Sequence, residues 1–161
     1  MQPPAVLNCR MAESVAAWLR NDAAPELAKL GSPLRALENY DSYECRSRNR
    51  IAGAKLSDHA HGDALDVRSF SLADGRRLEL TDAKVDKPMR EALRASACHR
   101  FTTVLGPGSD GYHEGHVHLD LIRRHNSYRL CEWDVRESPA AVAETQVEHV
   151  PLPPPRPAEV R

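Results

Sequence analysis

His116-Val-His-Leu-Asp-Leu-Ile122 alternates polar and apolar residues without a break, and Ala64-Leu-Asp-Val-Arg-Ser-Phe70 repeats the pattern. Successive side chains of a strand point to opposite faces, so residues two apart share a side. Val117, Leu119 and Leu121 therefore turn toward a core, while His116, His118 and Asp120 lie on the other face. Leu65 and Val67 likewise turn inward, and Asp66 emerges with Ala64 and Arg68. Both stretches read as strands with one wet face, the pattern of an antiparallel sheet covered on one side.

The flanking segments supply the cover. Met11, Val15, Trp18 and Leu19 recur at helical spacing from Met11 to Asn21, with Pro25 placed to stop that helix. A second short helix is expected from Pro25 to Leu30, ended by Gly31. Leu34 to Cys45 reads as extended. Leu72-Ala-Asp-Gly-Arg76 is a turn that returns through Arg77-Leu-Glu-Leu80 as a hairpin. Lys87 to Cys98 carries Pro88 in its first turn and Met89, Leu93 and Ala97 on one side, the signature of a helix. Phe101 to Leu105 reads as a strand, Gly106 to Gly111 as a loop, and Ser127 to Trp133 as the last strand. The sum is an α+β fold, a mainly antiparallel sheet with helices packed on one side and a metal site on the open sheet face. One domain is expected over residues 1–137. Beyond it the apolar pattern fades into Pro151-Leu-Pro-Pro-Pro-Arg-Pro157, so residues 138–161 read as a Pro-rich disordered tail.

Composition narrows the function classes. The chain has 161 residues, 41% of them hydrophobic, enough for one domain with a core. Its 22 basic and 23 acidic residues nearly cancel. Without a long basic run, a nucleic-acid or membrane-surface partner has no electrostatic support. No apolar run approaches the ~20 residues that would span a bilayer. The start, Met1-Gln-Pro-Pro-Ala-Val-Leu7, lacks the basic and apolar regions of a signal peptide.

The four cysteines, Cys9, Cys45, Cys98 and Cys131, are widely spaced and form no C-x-x-C pair. Scattered cysteines in even number suit a disulfide framework in an oxidising compartment. The expectation is a periplasmic or secreted protein whose leader lies outside this sequence. Chain order favours Cys9 with Cys45 and Cys98 with Cys131, each pair tying a helix to a strand.

Chemistry concentrates in Ser57-Asp-His-Ala-His-Gly-Asp-Ala-Leu-Asp66 and His113-Glu-Gly-His-Val-His-Leu-Asp120, which hold five of the eight histidines. Imidazole and carboxylate suit a zinc-like divalent ion, and three such ligands with a fourth position open to water make a hydrolytic site. If the two strands lie side by side, Asp66 and the His116/His118 pair meet over one point of the sheet. His59 reaches that point from a loop that Gly62 lets bend sharply. One metal held by His59, Asp66 and a histidine of the pair follows. Two histidines and a carboxylate also make the facial triad of iron oxygenases, but that class spaces its first pair as H-x-D. His99, His125 and His149 read as structural, and His61 as a neighbour of the ligand loop. Asp120 reads as a hydrogen-bond acceptor rather than a ligand.

Ser57-x-His59-x-x-Gly62-x-Ala64-x-Asp66 followed by His116-x-His118 resembles the signature of the LAS-type zinc peptidases, the D-alanyl-D-alanine carboxypeptidases and murein endopeptidases. More closely, Tyr43-Glu-Cys-Arg46, Arg48-Asn-Arg50, Gly53-Ala-Lys-Leu-Ser-Asp-His-Ala60, Phe70-Ser-Leu-Ala-Asp-Gly75, Phe101-Thr-Thr-Val-Leu-Gly-Pro-Gly-Ser109 and His118-Leu-Asp-Leu121 resemble the bacterial extensin-like C-terminal domain family. The likeness covers about Leu7 to Trp133 and includes all four cysteines. Where that family usually has Ser-Glu-His, this chain has Ser57-Asp58-His59.

The resemblance implies one zinc ion on His59, Asp66 and His118. It makes His116 the acid/base group, with His113 in support. Arg46 is its first candidate for polarising the scissile carbonyl or pairing with a substrate carboxylate, with Arg48 and Arg50 nearby. Ser57 would brace the ligand loop or touch substrate, and Arg50 would help bind it. The implied substrate is a peptide of peptidoglycan, cut at a bond involving D-alanine by a D,D-endopeptidase or carboxypeptidase working as a monomer. The competing expectation is a metal- or wall-binding module that keeps the site without turnover.

Overall fold

The computed structural model describes residues 1–137, and the Pro-rich segment expected to be a disordered tail lies outside the described residues. Six strands form one sheet: β1 (Leu34–Asp41), β2 (Ala64–Leu72), β3 (Arg77–Glu79), β4 (Thr103–Leu105), β5 (Val117–Asp120) and β6 (Leu130–Glu132). Their order is β1-β2-β5-β4-β6, with β3 pairing the far half of β2. Every pair is antiparallel except β4 with β6. The fold is the expected α+β arrangement. The register sets Asp66 opposite His118 and Leu65 opposite Leu119, so both wet faces lie on one side.

The covered face is closed by α1 (Cys9–Trp18), α2 (Ala24–Ala28) and α3 (Lys87–Arg100). Asn8 caps α1 by accepting the Met11 N–H at 2.9 Å, and Asp86 caps α3 by accepting the Met89 N–H at 2.8 Å. Met11, Val15 and Trp18 of α1 meet Met89, Leu93 and Ala97 of α3 over Leu65, Val67 and Phe70. Trp18 is the hub. Its ring lies 5.9 Å from both Phe70 and Phe101, and its indole N–H donates to Ser96 Oγ at 2.9 Å. Each fully buried large apolar side chain contributes roughly 1.5–3 kcal/mol, so this shared cluster fixes which sheet face is closed.

Two local expectations change. Pro25 does not end the first helix; a wide π-helical turn over Leu19–Ala23 joins α1 to α2 with helical dihedrals throughout. Proline in α2's first turn needs no N–H donor there, and the wide turn absorbs the bond it breaks. The cysteine pairing is half as expected. Cys98 and Cys131 are bonded, Cα atoms 5.6 Å apart, joining α3 to β6. Cys9 and Cys45 are instead free and exposed. Cys9 opens α1, and Cys45 lies four residues beyond the end of β1.

No helix among the described residues is long and apolar enough to cross a membrane.

Candidate metal centre

The ligand loop is built by two small residues. Ser57 caps the 3-10 turn Asp58–His61, its Oγ accepting the His59 N–H at 3.4 Å. Gly62 ends that turn at φ +64°, where a Cβ would stand 2.9 Å from the backbone nitrogen of Asn8. That nitrogen donates to the Gly62 carbonyl at 2.8 Å, docking the start of α1 against the loop. A side chain at position 62 would break this contact and strain the turn.

The turn delivers His59 over the register pair Asp66 and His118. His118 Nδ1 lies 2.8 Å from Asp66 Oδ1, His59 Nε2 lies 3.2 Å from His118 Nδ1, and His59 Nε2 lies 3.3 Å from Asp66 Oδ1. Three donor atoms thus form a nearly equilateral triangle, and all three residues are buried. A tetrahedral ion bound at ~2.0–2.1 Å separates its ligand atoms by about 3.3–3.4 Å, within about half an ångström of these edges. Each imidazole is oriented from behind. His59 Nδ1 bonds the Ser42 carbonyl, which leaves the Nε2 lone pair facing the triangle. His118 Nε2 bonds Asp120 Oδ2 at 3.2 Å, which leaves its Nδ1 facing the same point. Partners of this kind fix tautomer and ring plane for a metal. The His59–Asp66–His118 group can hold a divalent ion.

Electrostatics agree with the geometry. Burial alone would raise the Asp66 carboxyl, yet hydrogen bonds from His118 and His59 hold it well below the usual carboxylate range. Burial alone would strip the His118 proton, but Asp120 and Asp66 outweigh it and push the group up to about 10.

His116 differs. Burial lowers its pKa, against the pull of Asp66, and repulsion from His113, His118 and His59 adds to the lowering. Its ring is neutral near pH 7. Its Nε2 lies 3.4 Å from Asp66 Oδ2, beside the triangle rather than in it. His113 sits 5.1 Å from His116 between ring centres and is held by Asp110, whose Oδ1 is 2.7 Å from His113 Nδ1.

A cleft of about 430 Å³ opens over the cluster, lined by Ser57, His113, His116 and the arginines at 46, 48 and 50. Those arginines are engaged with carboxylates. Arg46 bonds Glu44 at 2.8 Å and Asp41 at 3.3 Å, Arg48 bonds Asp58 at 3.1 Å, and Arg50 pairs with Glu44. His61 is exposed and lends only its carbonyl, to Asn8.

Sequence reasoning missed Tyr40. Its ring stacks on His116 with centroids 4.7 Å apart and planes 10° apart, and Arg68 lies 5.4 Å above the tyrosine ring. The clue was register, since β1 places Asp41 opposite Asp66, and nothing in the chain announces that pairing.

The sequence profile described as Extensin-like protein C-terminus matches residues 1–132. The chain belongs to the extensin-like C-terminal family. No curated protein and no solved structure matches it. Within this extensin-like domain the matched span contains the whole triangle, His113, His116, Tyr40 and the three cleft arginines.

Proposed function

We propose that this extensin-like domain is a zinc-dependent peptidoglycan peptidase that hydrolyses a D-alanine-containing peptide bond, working in the periplasm or outside the cell. The observation that carries the reading is the buried donor triangle, with each imidazole oriented from behind and a neutral histidine at its edge. The likeness to LAS-type peptidases at Ser57, His59, Gly62, Ala64, Asp66, His116 and His118 supports the substrate class.

His59 Nε2, Asp66 Oδ1 and His118 Nδ1 would hold the ion. Zinc at such a site supplies a water that ionises near neutral pH and a Lewis acid for a carbonyl oxygen. His116, kept neutral by burial, takes a proton and returns it to the leaving amine. Tyr40 holds its ring plane by stacking. His113, tied to Asp110, borders the same space and supports the proton transfer. Arg46, fixed by Glu44 and Asp41, faces the cleft and stabilises oxyanion charge. Ser57 keeps His59 in place and, with Arg50, lines the path of the peptide. The Cys98–Cys131 bond suits the oxidising compartment in which such a substrate is found.

The test is metal analysis of the purified protein, followed by incubation of the zinc-loaded form with purified muropeptides and mass measurement of the products. One bound zinc and cleavage with uptake of one water are expected. Bound zinc with intact muropeptides would leave a binding module, and failure to hold any metal would overturn the reading.

A further inference from the structure

The segment after β5, Leu121-Ile-Arg-Arg-His-Asn-Ser-Tyr-Arg129, carries three arginines. With Arg10 of α1 and Thr102 it lines a second cleft of about 450 Å³, and no acidic side chain lines that cleft. Arg10 is ion-paired with Asp63. The other three are held differently. Arg124 donates to the Thr102 carbonyl at 3.1 Å, and Arg129 donates to the carbonyls of Cys98 at 3.3 Å and Phe101 at 3.4 Å. Arg123 is exposed. Among the described residues none of Arg123, Arg124 and Arg129 forms an ion pair. A guanidinium has five N–H donors, so a carbonyl partner positions the group while leaving its charge and remaining donors available.

The contrast with the metal cleft is what gives this cluster meaning. Arg46, Arg48 and Arg50 each have an ion-pair partner in Glu44, Asp41 or Asp58. Arg124 lines both clefts. Uncompensated positive charge therefore begins where the metal cleft ends. Guanidiniums without an ion-pair partner that line one cleft favour an oxyanion there, and charge-assisted bonds to carboxylate or phosphate are their strongest outlet. The loop also places hydroxyl groups at the same wall. Asn126 and Ser127 both take positive φ, at 60° and 54°, a conformation uncommon without glycine, and the next residue, Tyr128, is exposed.

We propose that this arginine cleft is an oxyanion subsite that continues the metal cleft past Arg124 and takes a free carboxylate or phosphate of an extended acidic ligand. Identifying that ligand as an acidic wall peptide rests on the proposed function; the anion site itself does not.

The test is a titration of the intact protein with inorganic phosphate and, separately, with N-acetyl-D-alanine, at constant ionic strength, followed by backbone amide resonances. Saturable shifts centred on Ser127 and Tyr128 are expected with at least one of the two, and which anion saturates assigns the group. Arg123→Glu should weaken binding by at least about tenfold, with resonances of the core unchanged. Arg123→Lys should retain most of it. Shifts that never saturate, shifts centred on His59 and His118, or equal binding by Arg123→Glu would each overturn the subsite. Muropeptide cleavage without anion binding removes the subsite alone, and anion binding without cleavage removes the peptidase reading alone.

Discussion

His118 Nε2 lies 3.2 Å from Asp120 Oδ2 while the Nδ1 of the same ring faces Asp66 at 2.8 Å. A neutral imidazole offers a lone pair on one nitrogen only when the other carries the hydrogen. Asp120 therefore decides which nitrogen of His118 is available to an ion, without touching that ion. Asp120→Asn keeps the shape and removes the charge. Zinc affinity is expected to fall about 10–100-fold, read on folded protein by competition with a chromophoric chelator, and the metal-free form should also lose stability because Asp120 pairs with buried His118. Unchanged affinity would remove Asp120 from the centre.

A second prediction concerns acid stability away from the cleft. Burial would raise the Glu38 carboxyl, but hydrogen bonds from Ser69 at 2.7 Å and Ser71 at 2.9 Å, with Arg77 at 2.6 Å, outweigh it and lower the pKa below 4.5. A carboxyl lowered in the folded state stabilises fully above its unfolded pKa and loses that contribution as pH falls through the folded value. Glu38→Gln should cost about 1 kcal/mol at pH 7, and the gap to the parent should shrink as pH falls through and below the ordinary carboxylate range. Urea unfolding of both proteins at pH 7 and pH 3 measures it, and a gap of equal size at both pH values would contradict the assignment.

The strands and the candidate His59–Asp66–His118 cluster were legible for the same reason. The alternation through His116 to Ile122 and through Ala64 to Phe70 encodes which side chains share a face, and burial of Leu65, Val67, Val117 and Leu119 makes any slipped register costly. His59, Asp66 and His118 thus converge on local pattern plus one assumed pairing. Tyr40 and Arg124 were not legible, because each acquires its meaning from a partner 76 positions away or from a cleft wall built by several segments. The helix break at Pro25 failed as an expectation because a π-helical turn is a tertiary accommodation, selected by packing of Ala23 and Leu27 rather than by local propensity.

Cysteine chemistry yields a third prediction. With Cys98 joined to Cys131 and both Cys9 and Cys45 exposed, the native unreduced protein should present two titratable thiols. Four would deny the bond, and none would mean that Cys9 and Cys45 also pair in solution. The Cys98–Cys131 bond spans 33 residues of chain, and a loop of that size adds about 3–4 kcal/mol by restricting the unfolded state. Replacing both cysteines by alanine should lower unfolding stability by that order, measured by denaturant titration.

The two histidines of the H-x-H pair are separated by the last prediction. Both project from the start of the central strand β5, but only His118 contributes to the donor triangle, through Nδ1. His116 stands beside it, 3.4 Å from Asp66 Oδ2, stacked on Tyr40 and kept neutral by burial. Removing a ligand leaves two donors, which hold zinc poorly, so His118→Ala should purify nearly metal-free and inactive. Removing a proton carrier leaves the triangle intact, so His116→Ala should keep its zinc while the rate of muropeptide hydrolysis drops about 10²–10⁴-fold. Tyr40→Leu provides the intermediate case: zinc retained and a smaller fall in rate, because His116 remains but its ring plane is no longer fixed. Elemental analysis of the three variants alongside their rates distinguishes the roles. Zinc lost from His116→Ala and kept by His118→Ala would reverse the assignment of ligand and proton carrier.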